Sequence, residues 1–498
     1  MPALAHPVRD HCLAPDRPID SPIAPVGGRY GRAFSDLPAL EGDAAALLAL
    51  GAAGGLCDGS DATGDDGSAA AGWPFFGQFI AHDITADRSP IGPHADPTTL
   101  ANFRSPRANL ESIYGDGPVG APYLYDAEDP AKLLTADGDV PRNAQGTALL
   151  GDPRNDVHLF MAQLQRAVLG THNRLVDRLR EDGIDEPECF DAARRATMWH
   201  YQWVIVEDFL RTLVGRELLE KVKEPSERCH RPEGPPIIPF EFADAAFRYG
   251  HGQIRHRYVL QPGGDEYSVF PDLGGFRPVA PEHLIDWRLL FGPEAQPAKR
   301  MDGRLAASLI SLPMAITGAV DVDAYHSLAA RDLQRGAAIG LPSGEAVAVA
   351  MGVEPLTAEE AGLGDFGWVG ETPLWLYILR EADVRAGGDR LGEVGGRLVA
   401  EVLLGLLDAD PESYRALEPS WQPTLPARVS ASRCSTSCWP GRECGAARSA
   451  LRPAPARVCG RSRGGRCTRG RRAVGARLAS GARRGGGHRR HRQQRCRG

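Results

Sequence analysis

No run of about 18 uninterrupted apolar residues occurs in the 498-residue chain, so no membrane-spanning helix is expected. The opening Met1-Pro2-Ala3-Leu4-Ala5-His6-Pro7 soon turns polar and lacks the apolar centre of a secretory leader, so a cytoplasmic location is expected. Cysteine is scarce in the body of the chain. Six of the ten stand after residue 428, and Cys12, Cys57, Cys189 and Cys229 are too scattered to form a disulfide framework. Basic charge is lacking there too. Residues 429–498 hold 19 arginines against the single acid Glu443, which leaves 38 basic and 63 acidic residues over 1–428, a net charge of −25. Such a body offers no footing for nucleic acid. Strand-type alternation is sparse, and no internal repeat is visible.

What is present is helical periodicity. With 42% hydrophobic residues the chain can bury a large core. Val157, Met161, Leu164, Val168, Leu175 and Leu179 recur at three- and four-residue spacing, which predicts a long amphipathic helix after Asp156. His172 shares that stripe and reads as a buried structural residue. Ala196, Trp199, Trp203, Val206, Leu210 and Leu213 repeat the pattern up to Gly215, a plausible stop, and a further helix is expected around Gly396–Leu407. Gly51–Gly72, rich in glycine, alanine and aspartate, reads as a flexible connection. The expected organisation is an N-terminal extension and connection over 1–72, one large, mainly α domain with few short strands over 73–428, and an arginine, glycine and cysteine tail over 429–498. The tail has no apolar face and is expected to be disordered. It reads either as a polyanion-binding arm or as the frameshifted product of a GC-rich gene, and the second is favoured because it lacks lysine.

Three motifs carry chemistry. In Gln78-Phe79-Ile80-Ala81-His82-Asp83, a helix over Trp73–Thr85 would put Gln78 and His82 on one face, with Asp83 turned about 100° from His82. Gly151-Asp152-Pro153-Arg154-Asn155-Asp156 brings a fixed positive charge. Phe247-Arg248-Tyr249-Gly250-His251 brings a second histidine. A neutral imidazole can take and return a proton, an arginine can stabilise charge developing on a leaving oxygen, and another imidazole can ligate iron. Taken alone, His82 is more often a satisfied core histidine and Arg154 an ordinary loop arginine; the joint order of the motifs outweighs that.

In that order the motifs resemble the animal-type haem peroxidase family, over roughly residues 70 to 428. The resemblance implies a helical fold with haem between central helices, His82, Arg154 and Gln78 as catalytic residues on the distal side, and His251 as the iron ligand. Asp332, in Arg331-Asp332-Leu333-Gln334-Arg335-Gly336, stands where relatives carry the asparagine that orients the proximal histidine. A carboxylate there is expected to give the imidazole imidazolate character and to lower the iron potential. Arg335 and Arg248 are implied as cofactor-binding residues; for Arg335 a surface salt bridge is an equally open reading. A calcium site is implied from Asp83, Ser105, the carbonyl of Arg107, Asn109 and Glu111, with a polar helix-capping turn as the alternative.

Two departures qualify the likeness. Relatives esterify haem through an aspartate one residue before the distal histidine and a glutamate three residues after the arginine. Ala81 and Val157 occupy those positions, so non-covalent haem b is expected. The implied activity is reduction of hydrogen peroxide with oxidation of small organic or halide donors. The rivals are a fatty-acid oxygenase of the same superfamily, disfavoured because Arg248 stands where those enzymes place a tyrosine, and a non-catalytic haem binder. Oligomeric state is left open. On the frameshift reading, mass spectrometry of the natively expressed protein will find no arginine-rich C-terminal peptide; recovery of that peptide intact would defeat it.

Overall fold

A computed structural model describes residues 28–62, 64–86, 100, 102–231, 234–318 and 320–425. The expectation of a disordered tail over 429–498 lies outside these residues. In chain order the principal elements are β1 (Arg29–Gly31), α1 (Ala44–Gly51), β2 (Asp66–Ala70), α2 (Trp73–Ile84), α3 (Leu159–Glu181), α4 (Glu186–Val204), α5 (Arg216–Lys223) and β3 (Ile237–Pro239). A 3-10 helix, Ala246–Gln253, follows. Beyond it come β4 (Tyr258–Val259), β5 (Glu266–Tyr267), β6 (Pro297–Lys299), α6 (Leu328–Ile339), α7 (Gly344–Ala350), α8 (Leu374–Ala386) and α9 (Glu393–Ala409). The strands pair only two by two, β1 with β3, β2 with β6 and β4 with β5, so the fold is mainly α, as expected.

α2 is the central element. Pro74 sits in its first turn, where a missing N–H costs no helix bond. Its aromatic residues key into neighbours on several sides. Phe75 stacks on Phe160 of α3 at 4.0 Å, Trp73 meets Phe291 edge-on at 5.1 Å, and Phe76 meets Phe209 at 5.8 Å. α3 begins at Leu159 and not at Val157. The carbonyls of Asp156 and Val157 accept from Phe276 and Gly275, and His158, with extended backbone, separates the 3-10 turn Pro153–Asp156 from the helix. α4 continues through a π-helical turn, Ile205–Leu210, into Arg211–Val214 and stops at Gly215, whose φ of +79° terminates the helix. The helix expected around Gly396–Leu407 lies within α9.

The stretch 51–72 is not a flexible connection. Gly51 lies so close to α6 that a Cβ there would fall 2.4 Å from the Ala330 nitrogen. Ser327, which caps α6, donates its hydroxyl to the Gly51 carbonyl at 2.5 Å. Cys57 is fully buried, Leu305 donates to its carbonyl, and β2 runs antiparallel to β6. The small residues in this stretch serve close approach of backbones. β1 meanwhile pairs in parallel with β3, so the folded unit takes in residues from 28 onward and does not start at 73.

Gly51→Ala is expected to lower folding stability by about 1–3 kcal/mol through overpacking against α6, read as a lower urea midpoint at unchanged slope. An unchanged midpoint would show that α1 is not held there.

Candidate active site

The 3-10 helix Ala246–Gln253 and α6 build one half of the site. Asp332, on the buried face of α6, has no exposed surface. One of its oxygens lies 2.5 Å from Nδ1 of His251, and the other accepts from Nη1 of Arg248 at 2.8 Å. Burial alone would raise the carboxyl; the charges and hydrogen bonds of His251 and Arg248 outweigh it and hold Asp332 below the ordinary carboxylate value. With Nδ1 committed, Nε2 of His251 has no hydrogen-bond partner among the described residues. The side chain is 30% exposed although Tyr249 and Gly252 beside it are buried, so the ring lies on an accessible surface. Arg335 meets Asp244 at 2.5 Å, and Arg248 reaches Asp244 as well as Asp332. Both arginines expected to bind the cofactor are thus engaged with protein carboxylates.

α2 and the turn Pro153–Asp156 build the other half. His82 is 8% exposed, and its Nδ1 lies 2.8 Å from Oδ1 of Asn155, whose amide donates to Gln165 at 2.8 Å. An amide oxygen can only accept, so His82 carries its proton on Nδ1 and leaves Nε2 with a lone pair. Burial, then the positive charge of Arg154, push its pKa down to about 3. Arg154 is held by Asp152, which accepts from its main-chain N–H and its guanidinium. That guanidinium also donates to the carbonyls of His82 and Thr85, at 2.9 and 2.6 Å. Its side chain is 38% exposed, so the charge also has an open face.

Gln78, one turn before His82, meets Nε2 of His158 at 2.9 Å. His158 was not foreseen from sequence. Its Nδ1 is a buried nitrogen without a hydrogen-bond partner, and burial, then the neighbouring His82, lower its pKa to about 3. The only sequence signal for it was its place between the Gly-Asp-Pro-Arg motif and α3. Asn155 and Gln165 were also missed. α2 and the 3-10 helix pack directly together: a Cβ at Gly77 would stand 3.3 Å from the Tyr249 hydroxyl, and one at Gly250 3.7 Å from Pro74. The two histidines therefore sit on adjoining elements. Each is anchored through Nδ1 and offers Nε2, which fits iron ligation at one ring and proton transfer at the other.

The calcium set does not fit. Asp83 is fully buried, but its oxygens accept from the backbone of Leu110 (2.9 Å) and from the backbone and hydroxyl of Ser112 (both 3.2 Å). Leu110 adopts a left-handed φ of +60° in the turn that aims those N–H groups, a conformation costing a non-glycine residue about 1–2 kcal/mol. Burial pushes Asp83 up to about 7 against those donors and Arg104. Glu111 accepts from the Ser105 N–H and hydroxyl and pairs with Arg104, while Asn109 donates to the Ser105 hydroxyl. The Arg107 side chain extends to Asp410. Among the described residues no three His, Cys, Asp or Glu side chains are grouped to hold a metal ion. His172 is structural, as expected: fully buried, it bonds the Tyr114 hydroxyl and the Ala131 carbonyl.

The sequence profile of the animal haem peroxidase family matches residues 96–361, a span that holds Arg154, His251 and Asp332. Heme peroxidase 2 of Caenorhabditis elegans is 26% identical over 169 residues, 30% of this chain and 23% of that protein. The chain thus spans less than a quarter of that relative. The fold is similar to that of peroxidase A from Dictyostelium discoideum, with a TM-score of 0.57, 14% identity, and coverage of 79% of this chain and 88% of that one. It is also similar to a fatty acid alpha-dioxygenase from Arabidopsis thaliana, with a TM-score of 0.55, 15% identity, and coverage of 76% and 72%. At such identities the likeness concerns the fold alone.

Three buried histidines set a pH dependence for folding. His82 and His158 are lowered to about 3 and His172 to about 4, in each case first by burial. Between those values and the ordinary imidazole value near 6.5, the unfolded chain takes up protons that the folded chain refuses. Their stabilising effect is therefore complete above pH 6.5 and lost as pH falls toward 4. Urea titrations of the cofactor-free protein across this window are expected to show stability falling with pH. His158→Gln should flatten the slope by nearly one proton; an unchanged slope would mean that His158 is not buried in neutral form.

Proposed function

The chain belongs to the animal haem peroxidase family, and on that footing we propose that it is a haem-dependent peroxidase that reduces hydrogen peroxide and oxidises small organic or halide donors. The observation that carries this reading is the pair His82 and His251, each with Nδ1 bound to a protein oxygen and Nε2 open. Bound haem would supply the iron to which peroxide attaches and store the oxidising equivalents that the donors later discharge. His251 would hold the iron through Nε2, with Asp332 drawing on the Nδ1 proton and raising the basicity of the ring. The same pull is expected to lower the iron potential.

His82 would take the proton of the near peroxide oxygen on Nε2 and return it to the departing oxygen. Burial and Arg154 keep the ring neutral with its Nε2 lone pair available, and the same shift weakens it as a base while making its protonated form a ready donor. Arg154, fixed by Asp152 and the end of α2, would lend a permanent positive charge to stabilise the departing oxygen. Gln78 is engaged with His158, so its contribution is to orient that second imidazole beside His82. Ala81 and Val157 offer no carboxylate, so the haem is non-covalent haem b. The proposal includes no calcium.

Reconstitution with hemin is expected to give a Soret band that shifts on adding peroxide, with all haem extracted by acid acetone. His251→Ala should abolish the native band. His82→Ala should keep it and slow the peroxide reaction by about 10²–10⁴-fold. Colourless protein that refuses hemin would overturn the reading, and oxygen insertion into linoleate through a tyrosyl radical would replace it with a fatty-acid oxygenase.

A further inference from the structure

Arg104 is 6% exposed and lies at the start of the segment where calcium was expected. Its guanidinium donates from Nη1 to Glu111 at 3.2 Å, and from Nη2 to Asp152 at 2.6 Å and to the Gly151 carbonyl at 3.1 Å. One cation therefore joins the loop 104–112 to the loop 151–156. The two loops also touch directly, since a Cβ at Gly151 would fall 2.5 Å from the Ser112 carbonyl oxygen. Asp152, at the far end of this bridge, is the carboxylate that grips Arg154 through Nε, Nη2 and the main-chain N–H. Arg154 in turn ties down the carbonyls of His82 and Thr85.

The carboxylate oxygens that a hard cation would need are spent on other partners. Asp83 faces two backbone N–H groups and a hydroxyl, all donors pointing at its oxygens. Glu111 turns one oxygen to Arg104 and the other to the N–H and hydroxyl of Ser105. A calcium ion binds through six to eight oxygens, each with a free lone pair directed at it. This cluster instead directs N–H groups and a guanidinium at its carboxylates.

We propose that Arg104 is the built-in structural cation of this fold, pairing Glu111 and Asp152 in place of a bound divalent ion and acting through Asp152 as a positioning residue for Arg154. The chain then folds and keeps its distal loop in register without calcium. This holds whether or not the haem reading does, and the cofactor-free full chain is sufficient to test it.

The first measurement is metal content by plasma mass spectrometry, with melting temperatures in excess EDTA and in excess calcium chloride. The expected result is no stoichiometric calcium and melting temperatures that agree within about 1 °C. About one calcium per chain, or a melting temperature that rises by several degrees with calcium as ligand linkage requires, would overturn the proposal. The second is Glu111→Gln. If Glu111 serves Arg104, this variant loses the same melting temperature in EDTA as in calcium; a loss confined to calcium would mark a metal ligand. The third is a double-variant cycle. Arg104→Met with Glu111→Gln should melt no lower than Arg104→Met alone, because the partner is already lost, whereas additive losses would show that the two do not act as a pair. Should Arg104→Met fail to accumulate, the first two measurements decide the matter.

Discussion

A carboxylate with no exposed surface, shared between a guanidinium and an imidazole, governs one side of this molecule. A buried charge is costly unless paired and hydrogen-bonded, and removing one partner leaves the penalty without its offset. Asp332 meets that condition through Arg248 and His251 together. Its position requires α6 to be docked correctly. That docking depends on α1, through the bare backbone of Gly51 and the capping hydroxyl of Ser327. The segment that carries α1 is therefore part of what sets Asp332 against His251.

The other side repeats the device with a different partner. Asp152, 1% exposed, lies between Arg104 and Arg154; burial would raise it, but the two guanidiniums hold it far below the usual carboxylate range. Here the carboxylate fixes an arginine, and the histidine is left to an amide, Asn155. The contrast matters chemically. A carboxylate on Nδ1 draws the proton and enriches the opposite nitrogen, which suits a metal ligand. An amide oxygen orients the ring without that pull, and with burial and Arg154 it keeps His82 neutral, which suits a group that must release what it takes up. Two histidines with the same tautomer thus have Nδ1 held by groups of different charge, an amide for His82 and a carboxylate for His251.

α2 connects the two sides. It carries His82 near one end, and its glycine and proline face the 3-10 helix that carries His251. Its aromatic residues lock it to α3 and to the π-helical turn after α4, so the spacing of the two histidines is set by packed rings that cannot easily slide. His158, at the foot of α3, adds a second neutral imidazole beside the first through Gln78.

The sequence by itself determined the helical class, because apolar residues at three- and four-residue spacing have one way to face a core. It also singled out the residues proposed to carry the chemistry, because His82, Arg154, His251 and Asp332 stand in motifs whose order and flanks are informative without coordinates. Only the tertiary structure decided what each of them is held by. Arg104 lies 48 residues from Asp152, and Asn155 lies 73 from His82, separations at which no local pattern signals a contact. Glycine-rich residues 51–72 are equally compatible with freedom and with close packing until the opposing backbone of α6 is known. Oxygen-bearing residues 105–111 read as calcium ligands in the sequence, and the buried guanidinium that pairs with Glu111 is met only in the fold. In each case the deciding quantity is which charge or surface arrives from a distant part of the chain, and that is fixed by folding and not by spacing.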